Sequence, residues 1–234
     1  MLEPVRSIIE SFKPAAVVFD LDGLMVDTEP LARVAWNRVL AQYGKELDDD
    51  LFEQMIGLRL EDSTNLVIKA LDLAVDPVEL SQNEQSNFRD LMESGLKTMP
   101  GLSTLLSCLD HHSLPWAVAT SSGLAYARKV LAMIDLLNDC QFIASGEEVT
   151  RGKPHPDIYL LASSRLGLTP DKCLALEDSV TGCQAANSAG MITIAIPSPL
   201  IKKADYSCAD IICPALDAVV PQIDKFMESD FTEL

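Results

Sequence analysis

Residues 17–29 read VVFDLDGLMVDTE, and the fold turns on how that stretch is taken. Ala16 to Phe19 are all apolar or small, the composition of a strand buried on both faces. The run stops on Asp20 and Asp22, with Gly23 straight after them. In strand alternation Leu21 points away, so the two carboxylates face one crevice, and Gly23 permits a turn or a close backbone approach there. Neighbouring acids repel unless a cation or a shared proton relieves them, and a hard, oxygen-seeking ion such as Mg2+ does so.

Outward from this strand the chain has two textures. From about Pro100 onward, strands and helices alternate. WAVATS (116–121), CQFIAS (140–145), CLALED (173–178), ITIAIP (192–197) and DIIC (210–213) read as strands. Between them, residues 102–112, 124–134, 156–167 and 180–190 carry helical periodicity, with Gly167 and Gly190 as stops and Pro156 near a first turn. A last helix must be interrupted or restarted at Pro221. This alternation predicts an α/β fold, a doubly wound parallel sheet with helices on both faces. Between about Pro30 and Met99 no strand is evident, only helical patterns at 30–44, 48–57, 60–73 and 76–96. The predicted organisation is therefore a core of residues 1–29 and 99–234 with an all-helical insert at 30–98. The start, with Val5, Ile8, Ile9 and Phe12 in phase, suits a short amphipathic helix and not a secretory signal.

Parallel sheets bind ligands at the carboxyl ends of their strands, and three more strand ends carry chemistry. Glu177 and Asp178 offer further metal ligands; Thr120 and Ser121 offer hydroxyls and backbone N–H groups suited to an anion; Lys153 stands in the Gly/Pro-rich TRGKPHPD loop. Singly, each has a plainer reading, as a turn, a helix cap or a solvated side chain. Together, acids, metal, hydroxyl and lysine form a phosphoryl-transfer kit.

Composition narrows the partners. The 234 residues are 48% hydrophobic and 23% charged, with net charge −17 and a pI near 4.4. That acidity argues against nucleic acid and anionic membrane surfaces, but not against a small anionic substrate met by local lysines. No apolar run approaches the roughly 20 residues of a membrane span. The six cysteines form no C-x-x-C pair and read as reduced thiols of a cytoplasmic protein. His111 and His112 read as a solvated helix end, and with no apolar surface pattern left over, a monomer is expected.

DLDGLMVDTE (20–29), ATSSG (119–123), GKPHPDIY (152–159) and LEDSVTGCQAANSAGM (176–191) resemble the four signatures of the haloacid dehalogenase superfamily, and most of all its β-phosphoglucomutase-like and sugar-phosphatase branch. The resemblance spans about residues 15–197. It implies a helical cap inserted after the first strand, Asp20 as the nucleophile that forms an aspartyl-phosphate, and Asp22 as the acid/base. It implies Mg2+ on Asp20, the Asp22 carbonyl and Asp178 with Glu177 nearby, and phosphoryl binding by Thr120, Ser121 and Lys153. IGLRLEDS (56–63) falls where that branch places its specificity loop, which makes Arg59 the candidate for a distal polar or anionic group of the substrate. The expected function is a Mg2+-dependent phosphatase of small phosphorylated metabolites, sugar phosphates above all. The alternatives are a β-phosphoglucomutase-like isomerase and a non-catalytic binding protein. Mutases of this branch carry a histidine where this chain has Ala32, and a loop arginine where it has Leu60.

Overall fold

The computed structural model describes residues 11–198 and 205–228. Six strands form one parallel sheet: β1 (Ala16–Phe19), β2 (Trp116–Thr120), β3 (Ile143–Ser145), β4 (Cys173–Glu177), β5 (Ile192–Ala195) and β6 (Ile211–Ile212). Their spatial order is β3-β2-β1-β4-β5-β6, so β1 lies centrally between β2 and β4. Every residue of β1, β2 and β4 is buried, as expected of strands covered by helices on both faces. The register sets Phe19 beside both Val118 and Leu176. Residues just beyond Phe19 therefore emerge next to Thr120 on one side and Glu177 on the other.

Nine helices accompany the sheet among the described residues: α1 (Glu29–Leu40), α2 (Asp49–Met55), α3 (Leu60–Leu71), α4 (Pro77–Gly95), α5 (Leu102–His111), α6 (Leu124–Met133), α7 (Asp157–Leu166), α8 (Val180–Ala189) and α9 (Val220–Glu228). Gly167 and Gly190 close α7 and α8 in left-handed conformation, and Pro221 occupies the first turn of α9, where its missing N–H costs nothing. The predicted N-terminal helix lies outside the described residues except for Phe12, whose ring packs edge-on against Phe226 at 5.2 Å. No helix among the described residues is long and apolar enough to cross a membrane, and all six cysteines are free thiols.

The helices α1 to α4 interrupt the α/β alternation and build a cluster of their own from Trp36, Val39, Leu40, Leu51, Phe52, Met55, Val67 and Leu80. The chain enters and leaves this insert side by side. Asp27 N–H donates to Lys97 O and Met99 N–H to Met25 O, each at 2.9 Å, around a Val26–Thr98 bridge. These paired crossings carry the helical lobe over the carboxyl ends of β1 and β2.

Candidate active site

Asp20 is the first residue past β1, and its N–H still donates to Leu176 O of β4 at 3.0 Å. Its carboxylate meets Lys153, whose Nζ lies 2.5 Å from Asp20 Oδ1 and 2.5 Å from Glu177 Oε1 and also donates to Ala119 O at 3.2 Å. All three side chains are nearly inaccessible. The Lys153 ammonium further lies 5.2 Å from the centre of the Tyr159 ring, whose hydroxyl donates to Glu177 Oε1 at 2.7 Å. Burial alone would push the Lys153 pKa down, but Asp20 and Glu177 outweigh it and hold the group above the ordinary lysine value. The lysine is thus a fixed cation, not a proton carrier.

The chain turns directly after Asp20. Leu21 O accepts from Met25 N–H and Val26 N–H, and Gly23 takes φ +85°. A side chain at Gly23 is excluded twice over, because a Cβ there would stand 2.3 Å from Asp178 Oδ2. Asp22 is therefore presented by this turn and not by strand alternation, while Leu21 is fully buried. Both acids line one cavity of about 1000 Å³ between the sheet ends and the helical insert. Asp22 Oδ1 accepts from Tyr126 OH at 2.6 Å, and Oδ2 accepts from Ser122 Oγ at 2.8 Å and Thr120 Oγ1 at 3.4 Å. Ser122 lies in the turn after β2 and Tyr126 in the first turn of α6, so the loop and the helix start that follow β2 both face Asp22.

The acids on the β4 side divide in two. Glu177 is spent: Oε1 takes Lys153 and Tyr159, and Oε2 takes Asp178 N–H, Ser179 N–H and Ser179 Oγ at 3.0–3.1 Å. Asp178 and Glu29 are not. Asp178 Oδ2 and Glu29 Oε1 are both buried without a hydrogen-bond partner. Burial, then the charges of Glu177, Asp20 and Glu29, hold the Asp178 carboxyl well above the usual carboxylate range. Asp20 is raised too, by burial first, with Lys153 opposing and Glu177 and Asp22 adding. One ammonium, bonded to Asp20 and Glu177 and felt by Asp178, thus stands among four crowded carboxylates, Glu29 being the fourth. Oxygens of Asp20, Glu177 and Asp178 lie within 4.8 Å of one another. An all-oxygen donor set with excess negative charge and orphaned carboxylate oxygens fits a hard divalent cation.

The remaining sequence candidates fall around the same cavity. Thr120 Oγ1 accepts from Ser122 N–H at 3.0 Å, shaping the turn after β2. Ser121 Oγ reaches across to the insert and donates to Gly57 O at 3.0 Å. Arg59 lines the cavity just before α3, with Nε 3.0 Å from Asp62 Oδ2 and Nη1 3.5 Å from Thr150 O of the core. Lys129 and Glu93 form a further contact between core and insert, at 2.6 Å. His112 is not a solvated helix end: its Nε2 lies 2.8 Å from Asp224 Oδ1, because α9 packs beside α5. Sequence reasoning missed Glu29, Ser122, Tyr126 and Tyr159. The available signal for Ser122 was its place inside the ATSSG motif, and for Glu29 its place at the end of the first signature.

A central parallel strand ending on paired acids, a lysine held by two acids and a helical insert over the strand ends define a class of hydrolase. The chain belongs to the haloacid dehalogenase-like hydrolase family, whose model matches residues 17–196. It is 35% identical over 211 residues to the "Probable pseudouridine-5'-phosphatase" of Drosophila melanogaster, covering 88% of this chain and 91% of that protein. It is 32% identical to the fructose-1-phosphate phosphatase YqaB of Escherichia coli over 76% of this chain and 93% of that one. Among solved structures, CbbY from Rhodobacter sphaeroides in complex with phosphate superimposes with a TM-score of 0.81 at 25% identity, covering 90% and 99% of the two chains.

Proposed function

We propose that this protein is a Mg2+-dependent phosphatase of small phosphorylated metabolites, with sugar phosphates as the leading class, working through an aspartyl-phosphate on Asp20. The observation that carries the reading is the Lys153 bridge: one buried ammonium ties Asp20 to Glu177 and leaves Asp20 facing the cavity. Relatives named as phosphatases of fructose 1-phosphate and of phosphorylated carbohydrates support the substrate class.

The residues divide the work as follows. Asp20 Oδ1 is occupied by Lys153, so Oδ2 is the attacking oxygen; it bonds to phosphorus as the ester P–O bond breaks. Asp22 gives its proton to the departing alkoxide, then takes one from the water that attacks the aspartyl-phosphate, which releases phosphate and restores Asp20. Lys153 holds the nucleophile and offsets charge on the phosphoryl oxygens, and the strand end at Thr120 and Ser121 closes the opposite side. Asp20, the Asp22 carbonyl and Asp178 would hold Mg2+, with Glu29 and Glu177 behind them; the ion supplies charge neutralisation for the transferred group. The insert excludes bulk water and presents Arg59 to the far end of the substrate.

The isomerase alternative is disfavoured at Ala32, which lines the cavity with a methyl group where mutases of this branch use an imidazole. Glucose 1-phosphate, a bisphosphate primer and Mg2+ should therefore yield free phosphate and little glucose 6-phosphate. Rapid glucose 6-phosphate formation without phosphate release would replace the phosphatase with a mutase.

A further inference from the structure

Glu84 breaks the pattern of its own helix. The inward residues of α4 recur every fourth position, Leu80, Glu84, Phe88 and Met92, and the other three are apolar. Glu84 is only 5% exposed, lines the cavity alongside Trp36, Phe88 and Met92, and has no hydrogen-bond or ion-pair partner among the described residues. Its oxygens are not among the fully buried orphaned atoms and so open onto the cavity, where a carboxyl costs free energy that a leucine at the same position would not. Tyr126, which bonds Asp22, lines the same cavity as Glu84. Glu84 belongs to the insert and Asp20 to the sheet ends, so the two line one cavity from different lobes, and the alcohol part of a phosphoester whose phosphorus meets Asp20 extends toward the insert.

We infer that Glu84 recognises the leaving group: it accepts hydrogen bonds from donors on the alcohol part of the substrate, remote from the phosphate. The shared chemistry is O–H or N–H, and a polyhydroxylated sugar or polyol supplies the most donors at that distance. A carboxyl at that end offers a second phosphate no cation, so monophosphates are selected over bisphosphates. An unpaired buried acceptor discriminates strongly, because a substrate without the donor leaves it unsatisfied. The inference rests on the phosphatase reading and adds the residue that sets the substrate class.

The test compares wild type with Glu84→Leu and Glu84→Lys, the leucine chosen because it continues the apolar stripe and keeps the helix folded. Phosphate release is measured on hexose and hexitol monophosphates, nucleoside monophosphates, a hexose bisphosphate and 4-nitrophenyl phosphate, which lacks donors. In Glu84→Leu the ratio of kcat/KM for the best monophosphate to that for 4-nitrophenyl phosphate should fall about 10- to 100-fold. In Glu84→Lys, relative activity on the bisphosphate should rise. A fall confined to sugar and polyol phosphates assigns the donors to hydroxyls, and one confined to nucleotides assigns them to base N–H groups. Ratios within about twofold of wild type in both variants overturn the inference. Failure of the wild type to release phosphate from any substrate overturns the phosphatase reading instead, and the assignment of Glu84 with it.

Discussion

The Tyr126 hydroxyl donates to Asp22 Oδ1 at 2.6 Å, which makes the orientation of the proposed acid/base a property of α6 and not of the strand that delivers it. With Ser122 on the other oxygen, Asp22 is gripped from both sides by the turn after β2 and the start of α6. Tyr126→Phe should lower kcat about 3- to 30-fold for alkyl phosphates, whose leaving groups need a proton, and less for 4-nitrophenyl phosphate, whose leaving group does not. Steady-state kinetics on the two substrates checks it; equal losses would make Tyr126 a packing residue only.

Chelation should remove activity and Mg2+ restore it, while Ca2+ should inhibit, since its larger and less demanding coordination shell can occupy the attacking oxygen of Asp20. A second readout is independent of turnover. The orphaned oxygens of Asp178 and Glu29 should gain partners, so Mg2+ should raise Tm in a thermal melt. Full activity in excess chelator would contradict the metal assignment.

Arg59 is held between Asp62 and Thr150 O at the joint of insert and core. If it also meets the substrate, Arg59→Ala should lower kcat/KM for the best sugar phosphate roughly tenfold, the scale of one charged hydrogen bond, and barely change 4-nitrophenyl phosphate hydrolysis. Equal losses on both would confine Arg59 to holding the joint.

Burial alone pushes the Glu84 pKa from 4.5 up to about 8. A carboxyl with a raised folded pKa holds its proton more tightly in the native state than in the unfolded one. The stability tied to it is therefore full below about pH 4.5 and is lost as the pH rises toward about 8. Glu84→Gln removes that loss. Its advantage over wild type in denaturant unfolding should be near zero at about pH 5 and reach roughly 1–3 kcal/mol at about pH 8. The same pH dependence in both proteins would mean that Glu84 titrates normally.

The core was legible because parallel strands are buried on both faces and so read as uniform apolar runs, and because their ends are where acids and lysine become conspicuous. Asp20, Lys153 and Asp178 come together as the strand ends implied. What stayed hidden is three-dimensional. Tyr126 sits within a helix whose pattern reads as ordinary amphipathicity, and only the packing of α6 beside the β1 turn gives its hydroxyl to Asp22. Glu84 reads as one acid among several on a polar helix until the cavity shows which face it occupies. Glu177, paired with Asp178 in sequence and close to it in space, differs from it in role because full burial requires its oxygens to be satisfied by Lys153, Tyr159 and Ser179.

The central claim is that Asp20 attacks phosphorus, and the rate of phosphate release by Asp20→Asn tests it most directly. The amide is nearly isosteric, and Lys153 retains Glu177 as its counter-ion, so the variant should melt as a folded protein. With Mg2+ and the best monophosphate, turnover should fall by about three powers of ten or more, because an amide oxygen does not form the phosphoenzyme. Phosphate release near the wild-type rate from the folded variant would remove Asp20 from the reaction.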